Sequence, residues 1–197
     1  MSIITHPASR YPASCLFTLE TNQRVYGSPA GGSEQVVDQL NDRWRVLLTY
    51  TARNRASAGS LDAFLASMRG QTNTVGLWHF ARPQPLGTMR GTPVLSAPAL
   101  QGASSISIFT SAGGTVLAGD MLGVAGLLLQ AQSDATANGS NVMTLPIVNR
   151  LRTALAGSAP VVWDQPLVQC TLISNSGQQY TPGVADAVSC EFIERIY

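Results

Sequence analysis

Two histidines, His6 and His79, are the side chains of this chain best suited to act as a base near neutral pH. Serine-type catalysis needs a nucleophile, such a base within hydrogen-bond reach, and a third group that orients the base. His6 follows Met1-Ser-Ile-Ile-Thr and precedes Pro7, a stretch that reads as a flexible arm. His79 alternates with Val75 and Leu77 and reads as a packed strand histidine. No Gly-x-Ser-x-Gly elbow, Walker loop or Gly-x-Gly-x-x-Gly run is present. Glu34, Asp38 and Asp42, spaced by four, would share one face of a helix, but without a histidine or further ligand nearby they read as a solvated face. Asp120, in Ala118-Gly-Asp120, and Asp134, in Ser133-Asp-Ala-Thr-Ala-Asn-Gly139, carry turn chemistry, in which the carboxylate accepts nearby backbone amides. Cys15, Cys170 and Cys190 are odd in number and widely spaced, which suits neither a disulfide framework nor a zinc site and predicts reduced, buried thiols. The expectation is no catalytic residue, no metal and no cofactor.

Composition sets the class. The chain has 197 residues, 45% apolar and only 12% charged, with 18 glycines and 11 prolines, as in a loop-rich, β-leaning globular protein. A net charge of +1 supplies no general attraction to nucleic acid or anionic membrane. Lysine is absent. Arg43, Arg45, Arg53, Arg55, Arg69, Arg82 and Arg90 face Asp62 alone over residues 43–90. Aromatics interleaved for base stacking are missing there, so nucleic acid is not an expected partner; pairing between subunits or solvation fits better. The apolar run from Met121 to Leu129 is well short of the ~20 residues of a membrane span, and the N-terminus lacks a secretory pattern. Synthesis in the cytosol is expected, with no membrane as partner.

The elements that must position these residues centre on Ser60 to Phe80. Leu61, Phe64, Leu65 and Met68 recur at i, i+3, i+4 and i+7, predicting a helix over 60–69 with Ser60 as N-cap and Arg69-Gly70 as its stop. Thr74 to Phe80 carries bulk on both faces, as in a central strand. Trp44, Val46, Leu48 and Tyr50 alternate with wetter residues in a further strand. Residues 1–42, rich in proline, read as an N-terminal arm and edge segment, and 43–197 as one β-domain. Residues 82–93 form a proline-rich connector expected to protrude. Strands are then expected at Val94-Leu95, Ser104–Thr110, Met121–Val124, Leu127–Gln132, Val142–Pro146, Val168–Ile173 and Cys190–Ile196. The three from Met121 to Pro146 are expected to form a meander. The predicted fold class is mainly β, an antiparallel β-sandwich or barrel flanked by one short α-helix.

Several motifs in order carry a resemblance. They are Ser28-Pro-Ala-Gly-Gly-Ser-Glu-Gln-Val-Val37 before Arg43-Trp44, Ala63-Phe-Leu-Ala-Ser-Met-Arg-Gly70, Arg90-Gly-Thr-Pro93, Leu117-Ala-Gly-Asp120, Asp134-Ala135 through Gly139 to Leu145-Pro146, and Leu151-Arg152. Together they resemble the phage minor tail or distal tail proteins of tailed phages of proteobacteria. The chain departs from that pattern at Cys170-Thr171-Leu172, where an Arg-Leu pair is expected. The resemblance implies a virion structural protein without enzymatic activity. It would link the tail tube to the tip or baseplate through contacts with other tail proteins and with copies of itself in a ring, and it would be assembled in the host cytoplasm. Arg82 and Arg90, on the connector, are the expected subunit-interface residues. The alternative is a receptor- or carbohydrate-binding β-module of the virion using Trp78 or Trp163 as a stacking platform. A wall-degrading enzyme is the weakest reading, for want of an acid/base pair.

Overall fold

The computed structural model describes residues 2–7, 11–27 and 31–196, so Ser28-Pro29-Ala30 of the first motif lies outside the described residues. The chain is mainly β, mostly antiparallel, of the β-sandwich kind with one short helix. A six-stranded sheet runs, edge to edge, through Ile3–Ile4, Thr74–Leu77, Val168–Asn175, Val188–Glu194, Arg43–Tyr50 and Ser14–Glu20. All neighbours are antiparallel except the first pair, in which Ile3 and Ile4 lie parallel to Thr74 and Val75. Period-two alternation does its work most plainly in Arg43–Tyr50: Trp44, Val46, Leu48 and Tyr50 are buried while Arg43 and Leu47 are exposed.

One helix, Arg55–Ser67, lays Leu61, Phe64 and Leu65, with Met68 at its cap, into the core of this sheet. It begins five residues before the expected Ser60, because Asn54 has the extended backbone of an N-cap and its Oδ1 accepts from Ser57 N at 2.9 Å. The expected stop is observed: Arg69 and Gly70 both take positive φ, 49° and 63°. Ser60 lies inside the helix, where its hydroxyl donates to Ser57 O.

The segment expected as an arm and edge, 1–42, is divided by the structure. Ile3–Ile4 and Ser14–Glu20 are the two edges of the principal sheet. Gln23–Gly27 and Glu34–Asp38 form a separate two-stranded hairpin.

Leu77 and Val168 are register partners, and the 78–167 segment is therefore one excursion from the sheet that leaves and returns at the same place. It folds on its own core of Met89, Leu95, Ile106, Ile108, Leu122, Leu145 and their neighbours, served by short sheets. Two departures from expectation occur here. Val142–Pro146 pairs along its length with Ser105–Phe109, and the meander from the hairpin Met121–Val124/Leu127–Gln130 reaches it only at its far end, where Ala131 bridges Ile147 and Gln132 N donates to Pro146 O at 2.9 Å. The connector does not protrude: Pro85, Gly87 and Met89 are buried, and Met89 N donates to Thr115 O at 3.0 Å. Gly87 permits this approach, since a Cβ there would stand 2.2 Å from Thr115 O. Residues Val148 to Leu155 cross irregularly without a helix.

The cap correction is testable. Asn54→Ala should cost roughly 0.5–2 kcal/mol by urea titration, and Ser60→Ala clearly less, because only Asn54 serves an otherwise unpaired first-turn amide.

Candidate functional site

The polar residues that could do chemistry gather where the edge strands and the 78–167 excursion meet the sheet. His6, expected in a flexible arm, is buried. Its Nε2 is 2.9 Å from Tyr50 Oη, and its ring lies within an aromatic box of Phe64, Trp78 and Phe80 with centroids 5.1–6.2 Å away. The short parallel pairing of Ile3–Ile4 with Thr74–Val75 carries His6 there. Burial lowers its pKa from 6.5 to about 4, a hydrogen bond at Pro7 acting weakly in the opposite sense, and burial likewise raises that of the Tyr50 phenol. Both groups are neutral partners near pH 7.

His79 is buried as expected but lies just past the strand, which ends at Leu77. Its ring stacks on Phe17, centroids 4.9 Å apart, and its Nδ1 is 3.8 Å from Cys15 Sγ. Burial, then the nearby Arg82 charge, lowers its pKa. Cys15 is half-buried on the edge strand, whereas Cys170 and Cys190 are fully buried, with burial raising both thiols and pushing Cys190 to about 12. The expectation of buried thiols therefore holds for two of the 3 cysteines.

Asp120 and Asp134 do what their turns predicted. The buried Asp120 carboxylate accepts from Leu86 N at 2.8 Å, Gly87 N at 3.1 Å and Leu117 N at 2.8 Å, pinning the connector to the turn before Met121. Asp134 Oδ1 accepts from Ala118 N at 2.8 Å. Glu34, Asp38 and Asp42 are not on a helix: Asp38 pairs with Arg150 at 3.6 Å and Asp42 Oδ1 accepts from Asn22 N. Among the described residues no group of three or more His, Cys, Asp or Glu is placed to hold a metal ion.

The arginines are largely committed within the chain. Arg45 bridges Glu20 at 2.5 Å and Glu191 at 2.6 Å, and Arg53 lies over the Tyr50 ring. Both residues expected at a subunit interface are exposed, and Arg90 is also anchored within its own loop. It donates to the carbonyls of Gly87, Met89 and Pro85 and lies 5.0 Å over the Trp163 ring, so a loop lacking acids finds its partners in its own backbone. The same contact covers one face of Trp163 as a stacking platform. Arg82 stays exposed and donates to Gly119 O at 3.2 Å. Trp78 instead lines an open groove of about 530 Å³ with Gly123, Val162, Leu167 and Gln169.

Sequence reasoning missed Glu194. Its carboxylate is buried, accepts from Trp44 N at 3.0 Å and pairs with Arg152, which also donates to Asp42 O. A signal was present, for Val188, Cys190, Phe192 and Glu194 alternate onto one face, and the last is the only charge among them.

Exposed apolar side chains include Ile3, Tyr11, Leu16, Leu86 and Leu100, and four more stand together on one hairpin. Val25, Tyr26, Val36 and Val37 of the hairpin are 37–59% exposed, and the cross-strand pair Val25–Val36 stands in solvent. No known protein family matches the chain, and no curated protein matches it.

Two outcomes follow from the buried polar groups. Glu194→Ala should destabilise by roughly 3–5 kcal/mol in denaturant titration, since it strands the Arg152 charge and the Trp44 amide, and Glu194→Gln should lose less. For His6, the unfolded chain takes up a proton near 6.5 and the folded one near 4. Its contribution to stability is complete above 6.5 and is lost as pH falls towards 4. Urea midpoints for wild type should fall more steeply than for His6→Phe over that window and in parallel with it above.

Proposed function

We propose that the chain is a structural subunit of a phage tail, a distal or minor tail protein that links tail tube to tip or baseplate by protein contacts and assembles with copies of itself in a ring. The observation that carries this reading is the hairpin Gln23–Gly27/Glu34–Asp38. An isolated two-stranded hairpin is marginal in water, and this one shows apolar residues on both faces while standing outside both cores. Burial against a neighbour supplies what the chain itself does not. The two sheet edges support the same reading, for Ile3 and Leu16 upon them are also well exposed. Arg82 remains available at that surface for a neighbour's carboxylate, and Arg90 acts within its own loop. The motif order described above supplies the virion context and the reading as a non-enzymatic component.

A receptor- or carbohydrate-binding module is the second reading, favoured by the groove beside Trp78. Light scattering and negative-stain images of purified protein at high concentration separate the two. The expected result is closed rings whose mass is a multiple of 20.8 kDa, lost in Val25→Asp with circular dichroism unchanged. A chain that stays monomeric at every concentration and binds glycans through Trp78 would replace the first reading with the second.

A further inference from the structure

We propose that Cys15 is the reactive thiol of this protein, a site of S-thiolation by low-molecular-weight disulfides, with the His79 imidazole as the base that takes its proton. Cys15 Sγ lies 3.8 Å from His79 Nδ1, within reach of an S–H···N hydrogen bond when the imidazole proton is on Nε2. Two contacts fix the ring. Phe17, two residues along the same edge strand, stacks on it at an interplanar angle of 29°, and the backbone turn behind it is closed by Arg82 N donating to His79 O at 2.8 Å.

Position decides which cysteine reacts. Cys15 is on the outermost strand of the sheet and half-buried, whereas Cys170 and Cys190 are on the two central strands and closed off. Thiol–disulfide exchange proceeds through the thiolate, so a thiol with access and an adjacent base outpaces thiols that have neither. In the step itself, the Cys15 proton passes to His79 Nδ1 as Sγ attacks one sulfur of the disulfide. The new Sγ–S bond forms as the old S–S bond breaks, and the departing thiolate collects the proton from His79. One thiol is consumed and one released, with no other oxidant. Nothing in this inference depends on the tail reading.

The probe is 5,5′-dithiobis(2-nitrobenzoic acid) on the folded full chain, followed by absorbance of the released thiolate, with intact mass after oxidised glutathione as a second readout. One of the 3 cysteines should react rapidly before denaturant is added and gain one glutathione, and Cys15→Ser should abolish that phase. His79→Gln should slow it at least about tenfold with near-ultraviolet dichroism retained. A peptide of residues 12–18, which has the same thiol without the base, gives a reference independent of how any variant folds. The native thiol should react faster than the peptide despite its partial burial. A rapid phase that survives Cys15→Ser, a smaller loss in folded His79→Gln, or a native thiol slower than the peptide would each overturn the proposal.

Discussion

The carboxylate of Glu194 joins the two halves of this molecule. It belongs to the last strand of the principal sheet, yet it accepts the amide of Trp44 from the neighbouring strand and pairs with Arg152 from the excursion. Trp44 adds a second tie, its indole N–H donating to Leu128 O at 2.8 Å. A buried carboxylate carries a large desolvation cost, and it persists here because a cation and a backbone donor converge on it. Its partners come from the principal sheet and from the excursion, so the carboxylate is satisfied only where the two meet. That makes this junction a condition on the fold and not an ornament of it, although an apolar junction of equal volume could be as stable. What the charged arrangement adds is direction, since hydrogen bonds fix how Arg152 and Trp44 approach.

With that junction set, the excursion of 78–167 is held against the sheet, and the loop Trp78–Phe80 at its start crosses the region where both edge strands arrive. This is why the histidines converge on neighbouring aromatic surroundings. His6 comes from one edge, Cys15 and Phe17 from the other, and Phe80 contacts both His6 and Tyr11. Low polarity there keeps His6 and His79 neutral. A neutral imidazole is a weak reason for an active site and a sufficient one for a hydrogen-bond acceptor. The structural uses of Asp120, Asp134 and Arg90 are of the same kind: each ties loop backbone that has no sheet partner.

The surface left over is informative because the interior is so well provided for. Two cores are filled, the connector is tucked in, and most of the arginines between 43 and 90 have partners inside the chain. Against this background the hairpin stands out, since Val25, Tyr26, Val36 and Val37 are exposed and belong to neither core. The tail-subunit proposal rests on that contrast together with the order of the sequence motifs. The Cys15–His79 pair rests on a different part of the edge and a different chemistry.

Local periodicity decided which segments would be strands and which would be a helix. The alternation of Trp44 to Tyr50, the stripe Leu61–Phe64–Leu65–Met68, the stop at Arg69-Gly70 and the turns around Asp120 and Asp134 are short-range patterns, and each is written in residues a few positions apart. The helix start was misplaced because Ser60 and Asn54 are both acceptable caps by type, and only the backbone at Asn54 shows which one is used. Pairing partners were beyond such reading. Val142–Pro146 could have joined either neighbour on alternation alone, and a proline-rich N-terminus gives no local sign that His6 will reach Tyr50. Cys15 and His79 are 64 residues apart, and Trp44 and Glu194 are 150 apart. Contacts of that span depend on which strands lie side by side, and strand order follows from how the whole apolar surface is buried at once. The sequence by itself determined the elements and their inward faces, and the tertiary structure alone decided which polar side chains those faces would bring together.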